Sequence, residues 1–352
     1  MSFHIGNRPI GDGAACFVIA EAGVNHNGEL ARAHALVDAA AAAGADAVKF
    51  QTFVPDRLTT PTAATAAYQR DRDGSIRTQI ELLSALRLPD DGYPGLMRHA
   101  EERGLVFLST PFDASSAAML IGLGAAAVKV SSGDVTNLPF LACLARAGRP
   151  IVLSTGMATE DEIQRAVDTI RANGAPPLAL LHCVSCYPTP AADVNLRAMD
   201  TMRRRFAVPV GWSDHTLGTA IAVAAAARGA DIIEKHLTID RTLPGPDHAA
   251  SLEPGEFRAM VAAIREVALA LGDGVKRPRP IEAPIAALVR RSLHWRCDLP
   301  AGHAIEADDF EALRPNDGVA PEHAGRIVGR RLARRAEAGA PVLESDLGAA
   351  RA

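Results

Sequence analysis

Residues 150–185 read PIVLSTGMATEDEIQRAVDTIRANGAPPLALLHCVS. An apolar run of strand character, PIVLSTG, is followed by a segment of helical periodicity, and a second apolar run, LALLHCVS, follows that. The helix has its own punctuation. Thr159 is a candidate N-cap, Glu162 stands three residues on as a capping box requires, and Gly174 marks the end. This is one strand–helix–strand unit. Working outward, the same kind of run recurs at intervals of roughly 20 to 30 residues, the spacing of βα units: FVIAEAGVN, AVKFQT, LVFLST and AVKVSS upstream, PVGWSD and IIEKHLT downstream. Eight strands alternating with helices predict a (β/α)8 TIM barrel. A doubly wound open sheet is the competing α/β architecture, but no Gly-rich phosphate loop follows the first strand.

One connection is twice the usual length. Between AVKFQT and LVFLST, the polar stretch PDRLTTPTAATAAYQRDRDGS is expected to be a lid or binding loop. The barrel pattern stops after PGEFRAMVAAIREVALALG, which gives a catalytic domain over residues 1–275. The Pro- and charge-rich stretch at 276–284 reads as a linker. Residues 285–352 read as a small separate domain of short strands and Gly turns, and its basic RIVGRRLARR is taken as a solvated surface.

Composition narrows the class. A chain of 352 residues, 48% hydrophobic and with net charge −4, has no general electrostatic reason to bind nucleic acid or an anionic membrane. The N-terminal residues carry no signal-peptide pattern, and Ala-rich stretches such as VDAAAAAGADAV are too short and too charged to span a bilayer. Five scattered cysteines fit a reducing cytoplasm. Cys183 and Cys186 are spaced C-x-x-C, but are read as lying along a strand and so as core cysteines.

In a barrel of this kind the active site lies at the C-terminal ends of the strands, and side chains alternate between interior and helix layer. Polar residues of even spacing sit at those ends: Glu21 and Asn25, Lys49 and Gln51, Lys129 and Ser131, Ser154, Ser213 and His215, Glu234 and His236. So many polar groups facing one way imply a polar small-molecule site. His215 and His236 end adjacent strands and could converge on one metal, a Lewis acid that polarises a carbonyl, or could serve in hydrogen-bonded or catalytic roles. Lys49 and Lys129, with Thr110, Ser132, Ser154 and Ser213, look like a cradle for phosphate or carboxylate. A Schiff-base lysine, as in class I aldolases, is the alternative.

Beyond these readings, the chain resembles the sialic acid (N-acetylneuraminate) synthase family of nonulosonic acid synthases. The motifs run nearly end to end: EAGVNHNG, VKFQTF, FLSTPFD, GDVTNLP, LSTGMAT, LLHCVSCYPTP, GWSDHT, IEKHLT and PGPDH, with a tail, RRSLHW…ADDFEALRPNDGV, similar to the family's antifreeze-like (SAF) domain. The resemblance implies condensation of phosphoenolpyruvate with an open-chain N-acetylmannosamine-type sugar aldehyde, to a nine-carbon 2-keto acid and phosphate. It implies a divalent metal held by His215 and His236, usually manganese, with Mg²⁺ or Co²⁺ as alternatives. Thr110, Lys129, Ser132, Ser154, Ser185 and Ser213 fall at the family's phosphoenolpyruvate positions. Lys49, Gln51, Tyr187 and Asp247 fall at its sugar positions, and Glu21, Lys49, Asp134 and Glu234 are expected to be catalytic. Arg314 matches an arginine that reaches the sugar from the partner subunit, which implies a domain-swapped homodimer. Three departures stand out: Asp134 where the family commonly has Glu, Ser185 where the sialic acid enzymes commonly have Asn, and a second loop whose Tyr68–Gln69 resembles enzymes making legionaminic acid. A catalytically inactive sugar-binding homologue is the alternative from another functional class.

Overall fold

The computed structural model describes residues 2–64 and 78–348. The loop sequence AAYQRDRDGS, on which the legionaminic comparison rests, lies outside the described residues, as does most of the expected lid.

The chain begins with a hairpin absent from the sequence reading, β1 (Ser2–Ile5) paired antiparallel with β2 (Arg8–Gly11). Eight parallel strands follow: β3 (Phe17–Gly23), β4 (Ala47–Thr52), β5 (Val106–Pro111), β6 (Val128–Val130), β7 (Ile151–Ser154), β8 (Leu178–His182), β9 (Val210–Asp214) and β10 (Ile232–His236). Their hydrogen-bonded order is β5-β4-β3-β10-β9-β8-β7-β6, so the chain's first and last barrel strands are neighbours. Each strand leads to a helix, the last being Pro254–Leu271. The expected (β/α)8 barrel is therefore present. The Thr159 capping box forms as read, with Glu162 N donating to Thr159 Oγ1 and Thr159 N to the Glu162 carboxylate.

Period-two alternation sorts the strand residues into layers. Val18, Ala20, Val48, Phe50, Val128, Val130, Ile151, Leu153, Leu180, Val210, Trp212 and Ile233 face the helices and make the larger core. The other parity faces the barrel axis. Its lower residues are apolar: Phe17, Ile19, Ala47, Leu108, Ala127, Val152, Ala179, Leu181 and Ile232, packed with Ile5 and Ile10 of the hairpin, which are fully buried. The hairpin thus stoppers the N-terminal end of the barrel. Gly211 lies on the axis-facing parity of β9, where a Cβ would stand 2.2 Å from the Ile232 carbonyl oxygen and 2.7 Å from Leu181.

The long second connection carries helices Pro55–Leu58 and Gln79–Leu86. Leu82 and Leu86 of the latter pack with Val24 and Phe53 as a small apolar cluster of their own.

Contacts divide the chain into two units, Met1–Gly272 and Asp273–Ala352. Residues 276–284, read as linker, include a helical turn at Pro280–Glu282, and residue 285 falls inside a helix, Ala283–Val289. In the second unit β11 (Ser292–Trp295) pairs antiparallel with β12 (Phe310–Leu313). Around them Leu293, Trp295, Phe310, Ile327, Leu332 and Val342 form an independent core.

Candidate active site at the barrel mouth

Above the apolar lower layer, the axis-facing parity becomes polar. Glu21, Lys49, Gln51, Thr110, Lys129, Ser131, Ser132, Ser154, Tyr187, Ser213, His215, Glu234 and His236 line one cavity, together with Phe112 and Cys183. Most of the residues chosen by spacing in the sequence meet there. Adjoining it is a chamber of about 300 Å³, which shares Gln51, Phe112, Ser131, Tyr187 and His236 and adds Asp247 and the apolar Val24, Phe53, Leu82 and Leu86.

Two lysines and two carboxylates form the floor. Lys49 Nζ lies 2.7 Å from Glu21 Oε2 and 3.7 Å from Glu234 Oε2, and donates to Thr110 Oγ1 at 3.1 Å. Lys129 Nζ donates to Ser154 Oγ at 2.6 Å and lies 3.8 Å from Glu234 Oε1, which also accepts from Ser213 Oγ at 3.0 Å. Gln51 Nε2 donates to Glu21 Oε1 at 3.1 Å. All four charged groups are buried, so their charges are set by one another. Burial raises the Glu21 carboxyl to about 7, against the pull of Lys49. Burial also acts to raise Glu234, but Lys129 and Lys49 more than reverse this, and its pKa is lowered. Burial lowers Lys129. Lys49 is raised, because Glu21 and Glu234 outweigh the effect of burial. The floor therefore holds one firm cation, Lys49, one firm carboxylate, Glu234, and one carboxyl able to carry a proton near neutral pH, with the Lys129 amine beside them.

The histidines stand at the rim, their ring centroids 5.7 Å apart. His215 Nδ1 donates to the Val184 carbonyl at 2.7 Å, which leaves Nε2 as the acceptor, 3.1 Å from the Tyr187 hydroxyl. His236 Nδ1 is buried with no hydrogen-bond partner among the described residues, and Asp247 Oδ2 lies 3.7 Å from it. Burial pushes both imidazoles below their ordinary range, so both are neutral, as a metal ligand must be. Among the described residues no group of three His, Cys, Asp or Glu side chains is placed to hold a metal. The pair fits a cation that draws its other ligands from water or substrate.

Three expected site residues lie just outside the inner cavity. Ser185 and Ser132 flank Gly156, whose N–H donates to Ser132 Oγ at 2.9 Å. A Cβ at Gly156 would stand 2.4 Å from Ser185 Oγ and 3.0 Å from both Cys183 Sγ and Ser132 Oγ. Asp247 belongs to the adjoining chamber. Burial raises it to about 6, against Lys49. Asp134 is not among the cavity-lining residues. It ends a helical turn, Ser132–Asp134, and accepts from Asn137 Nδ2 at 3.0 Å. Arg314 is an exposed residue of the second unit.

Two readings need correction. β8 ends at His182, so Cys183 and Cys186 follow the strand rather than lie along it, and only Cys183 is buried. It shares the parity of Ala179 and Leu181, a signal already present in the sequence, and its Sγ is 3.2 Å from Ser132 Oγ. Asn25 lies beyond β3 and does not line the cavity. Its amide donates to the Leu237 carbonyl and to Ser251 Oγ. Phe112, two residues past Thr110, is the lining residue that parity offered and polarity concealed.

Comparison with known proteins finds relatives along most of the chain. The chain is 45% identical to the N,N'-diacetyllegionaminic acid synthase of Legionella pneumophila, over 96% of each chain. It is 40% identical to the enzyme of the same name from Campylobacter jejuni, over 89% of this chain and 94% of that one. The crystal structure of an N-acetylneuraminic acid (sialic acid) synthetase from Leptospira borgpetersenii superposes with a TM-score of 0.73 at 34% identity, covering 81% of this chain and 95% of the other. Residues 290–348 match the SAF domain. With residues 36–276 matching the NeuB family and these relatives aligned over nearly their whole length, the chain belongs to the NeuB family.

Proposed function

We propose that this chain condenses phosphoenolpyruvate with the open-chain form of an N-acylated amino sugar, giving a nonulosonic acid of the legionaminic type and phosphate. The observation that carries the reading is the buried floor of Lys49, Lys129, Glu21 and Glu234 beneath two neutral histidines, in a chain of the NeuB family. The names of the two synthases above support the legionaminic product, with N-acetylneuraminic acid as the related alternative.

In this reading Lys129, Ser154, Ser132 and the Gly156 N–H receive the anionic groups of phosphoenolpyruvate. Gln51, Tyr187 and Asp247 face the sugar, whose acyl groups lie against Phe53, Leu82 and Phe112. The enol C3 forms a bond to the aldehyde carbon, whose oxygen gains a proton. Water then adds at C2 and loses a proton. The bond from C2 to the phosphate oxygen then breaks as the C2 hydroxyl gives up its proton, which passes to the departing phosphate, leaving the 2-keto acid. Glu21, near 7, can hold a proton while Glu234 remains ionised, so the floor can both give and take one. A divalent cation held by His215 and His236, manganese by preference, would supply Lewis-acid polarisation of the aldehyde oxygen. The protein would work in the cytoplasm as a domain-swapped homodimer in which Arg314 serves the partner's site. Exposed Ile281, Ile285 and Leu288 give the segment before the second unit's sheet an apolar face suited to such a contact.

Dialysis against EDTA should abolish phosphate release from phosphoenolpyruvate and a 2,4-diacetamido-trideoxy sugar, and Mn²⁺ should restore it. Full turnover in metal-free protein would remove the metal from the reaction, and a borohydride-trapped lysine adduct would establish the Schiff-base alternative. Gly156→Ala should crowd the Ser132–Ser185 corner. Overpacking of about 1–3 kcal/mol corresponds to a rise of roughly 5- to 150-fold in the KM for phosphoenolpyruvate, with the sugar KM little changed. Steady-state kinetics in both substrates checks this, and an unchanged phosphoenolpyruvate KM removes that corner from the anion site.

A further inference from the structure

Asp214 and Lys235 flank the two histidines in sequence, yet neither lines the cavity. They have the opposite parity, on the outer face of β9 and β10, where they are direct partners in the strand register. Both side chains are fully buried, and Lys235 Nζ lies 2.8 Å from Asp214 Oδ2. The same ammonium donates to the Thr216 carbonyl, while Asp214 Oδ1 accepts from Thr216 N at 2.9 Å and Thr216 Oγ1 at 2.8 Å.

Such a pair is costly to bury, and apolar residues of similar size are often at least as stabilising. Its placement explains what it does instead. His236 is the last residue of β10 and is fixed by the sheet, since its carbonyl accepts from Leu252 N and Leu237 N donates to the Glu21 carbonyl. His215 lies one residue past β9, beyond the last register pair, Lys235–Asp214. One lysine, adjacent to His236, therefore grips the residues on both sides of His215. We propose that the Asp214–Lys235 pair is a positioning device that sets His215 at its distance from His236, and that neither residue touches substrate.

This rests on the histidines acting together in the proposed reaction, and the experiment separates the two ideas. The double variant Asp214→Asn/Lys235→Met removes both buried charges at once, so no uncompensated charge remains to unfold the protein. A control, Asp46→Asn, weakens a different, partly buried ion pair, to Arg265 at the other end of the barrel. Thermal unfolding, Mn²⁺ binding to the free protein by electron paramagnetic resonance, and phosphate release are measured on each. In the double variant, Mn²⁺ affinity and kcat should each fall about 10–100-fold, the usual effect of losing a group that orients a ligand, while the KM for phosphoenolpyruvate stays within about threefold of wild type. The control should lose stability while keeping both Mn²⁺ affinity and kcat. A folded double variant with wild-type kcat overturns the proposal, as does a control that loses affinity and kcat equally. If wild-type protein turns over without binding Mn²⁺, the metal reading fails alone, and the kcat comparison still decides the positioning role. If the double variant does not fold, the equally charge-free Asp214→Asn/Lys235→Leu is measured by the same criteria.

Discussion

Equal amounts of His236→Ala and Arg314→Ala protein, each expected to be inactive alone, should recover on mixing about one quarter of wild-type activity, as a freely exchanging two-fold dimer requires. Half of the dimers are then mixed. If Arg314 acts across the dimer, a mixed dimer has one site lacking both groups and one site with both. The guanidinium can hydrogen-bond sugar oxygens in a fixed fork that lysine cannot copy, so Arg314→Lys should not substitute for wild type in the same experiment. The readout is phosphate release, with subunit exchange shown independently by mass-labelled protomers. No recovery despite exchange places Arg314 at its own barrel or at none.

The second large effect concerns Lys49. Lys49→Met leaves Glu21 and Glu234 with only Lys129 between them, and should destabilise the protein by about 3–5 kcal/mol, as for one partner removed from a buried pair. The loss has a pH signature. Burial already places Glu21 at about 7, and without Lys49 the folded protein holds that proton more firmly. The unfolded chain releases it at the ordinary carboxylate value of about 4.3. Between those values the folded state binds more protons than the unfolded, so stability of the variant falls as pH rises. Adding Glu21→Gln should restore stability and flatten this dependence in urea melts. Turnover should stay at least about 100-fold below wild type, because the Lys49 ammonium and the proton-carrying Glu21 carboxyl are both missing. Recovery of turnover in the double variant would reduce Lys49 to a structural counter-ion.

The parts of this site that were legible in the sequence are those governed by period-two alternation. Glu21, Lys49, Gln51, Lys129, Ser154, Ser213 and Glu234 lie inside strands, and the even spacing that suggested a common face does put them on one axis. The reading weakened where strands end. AVKVSS is a strand only to Val130, and the helical turn that follows keeps Asp134 from lining the cavity. LALLHCVS stops at His182, and Cys183 enters the cavity from the loop instead of joining a core. Loops bring residues together through their own hydrogen bonds, which spacing does not encode. The N-terminal hairpin escaped for another reason: two four-residue strands, with Ile5 and Ile10 as their buried apolar side chains, carry too little pattern to distinguish them from a turn-rich terminus.

That hairpin also constrains traffic. With Ile5 and Ile10 packed into the lower layer, the barrel is blind-ended, and everything that enters must leave by the same opening. The groups proposed to take phosphoenolpyruvate line the inner cavity or its Gly156 corner, while Asp247 and the apolar wall of Phe53, Leu82 and Leu86 belong to the adjoining chamber. For the proposed reaction, phosphoenolpyruvate, sugar, phosphate and the nine-carbon acid would then all share one mouth, so each product should compete with the incoming substrates there instead of draining away at the far end.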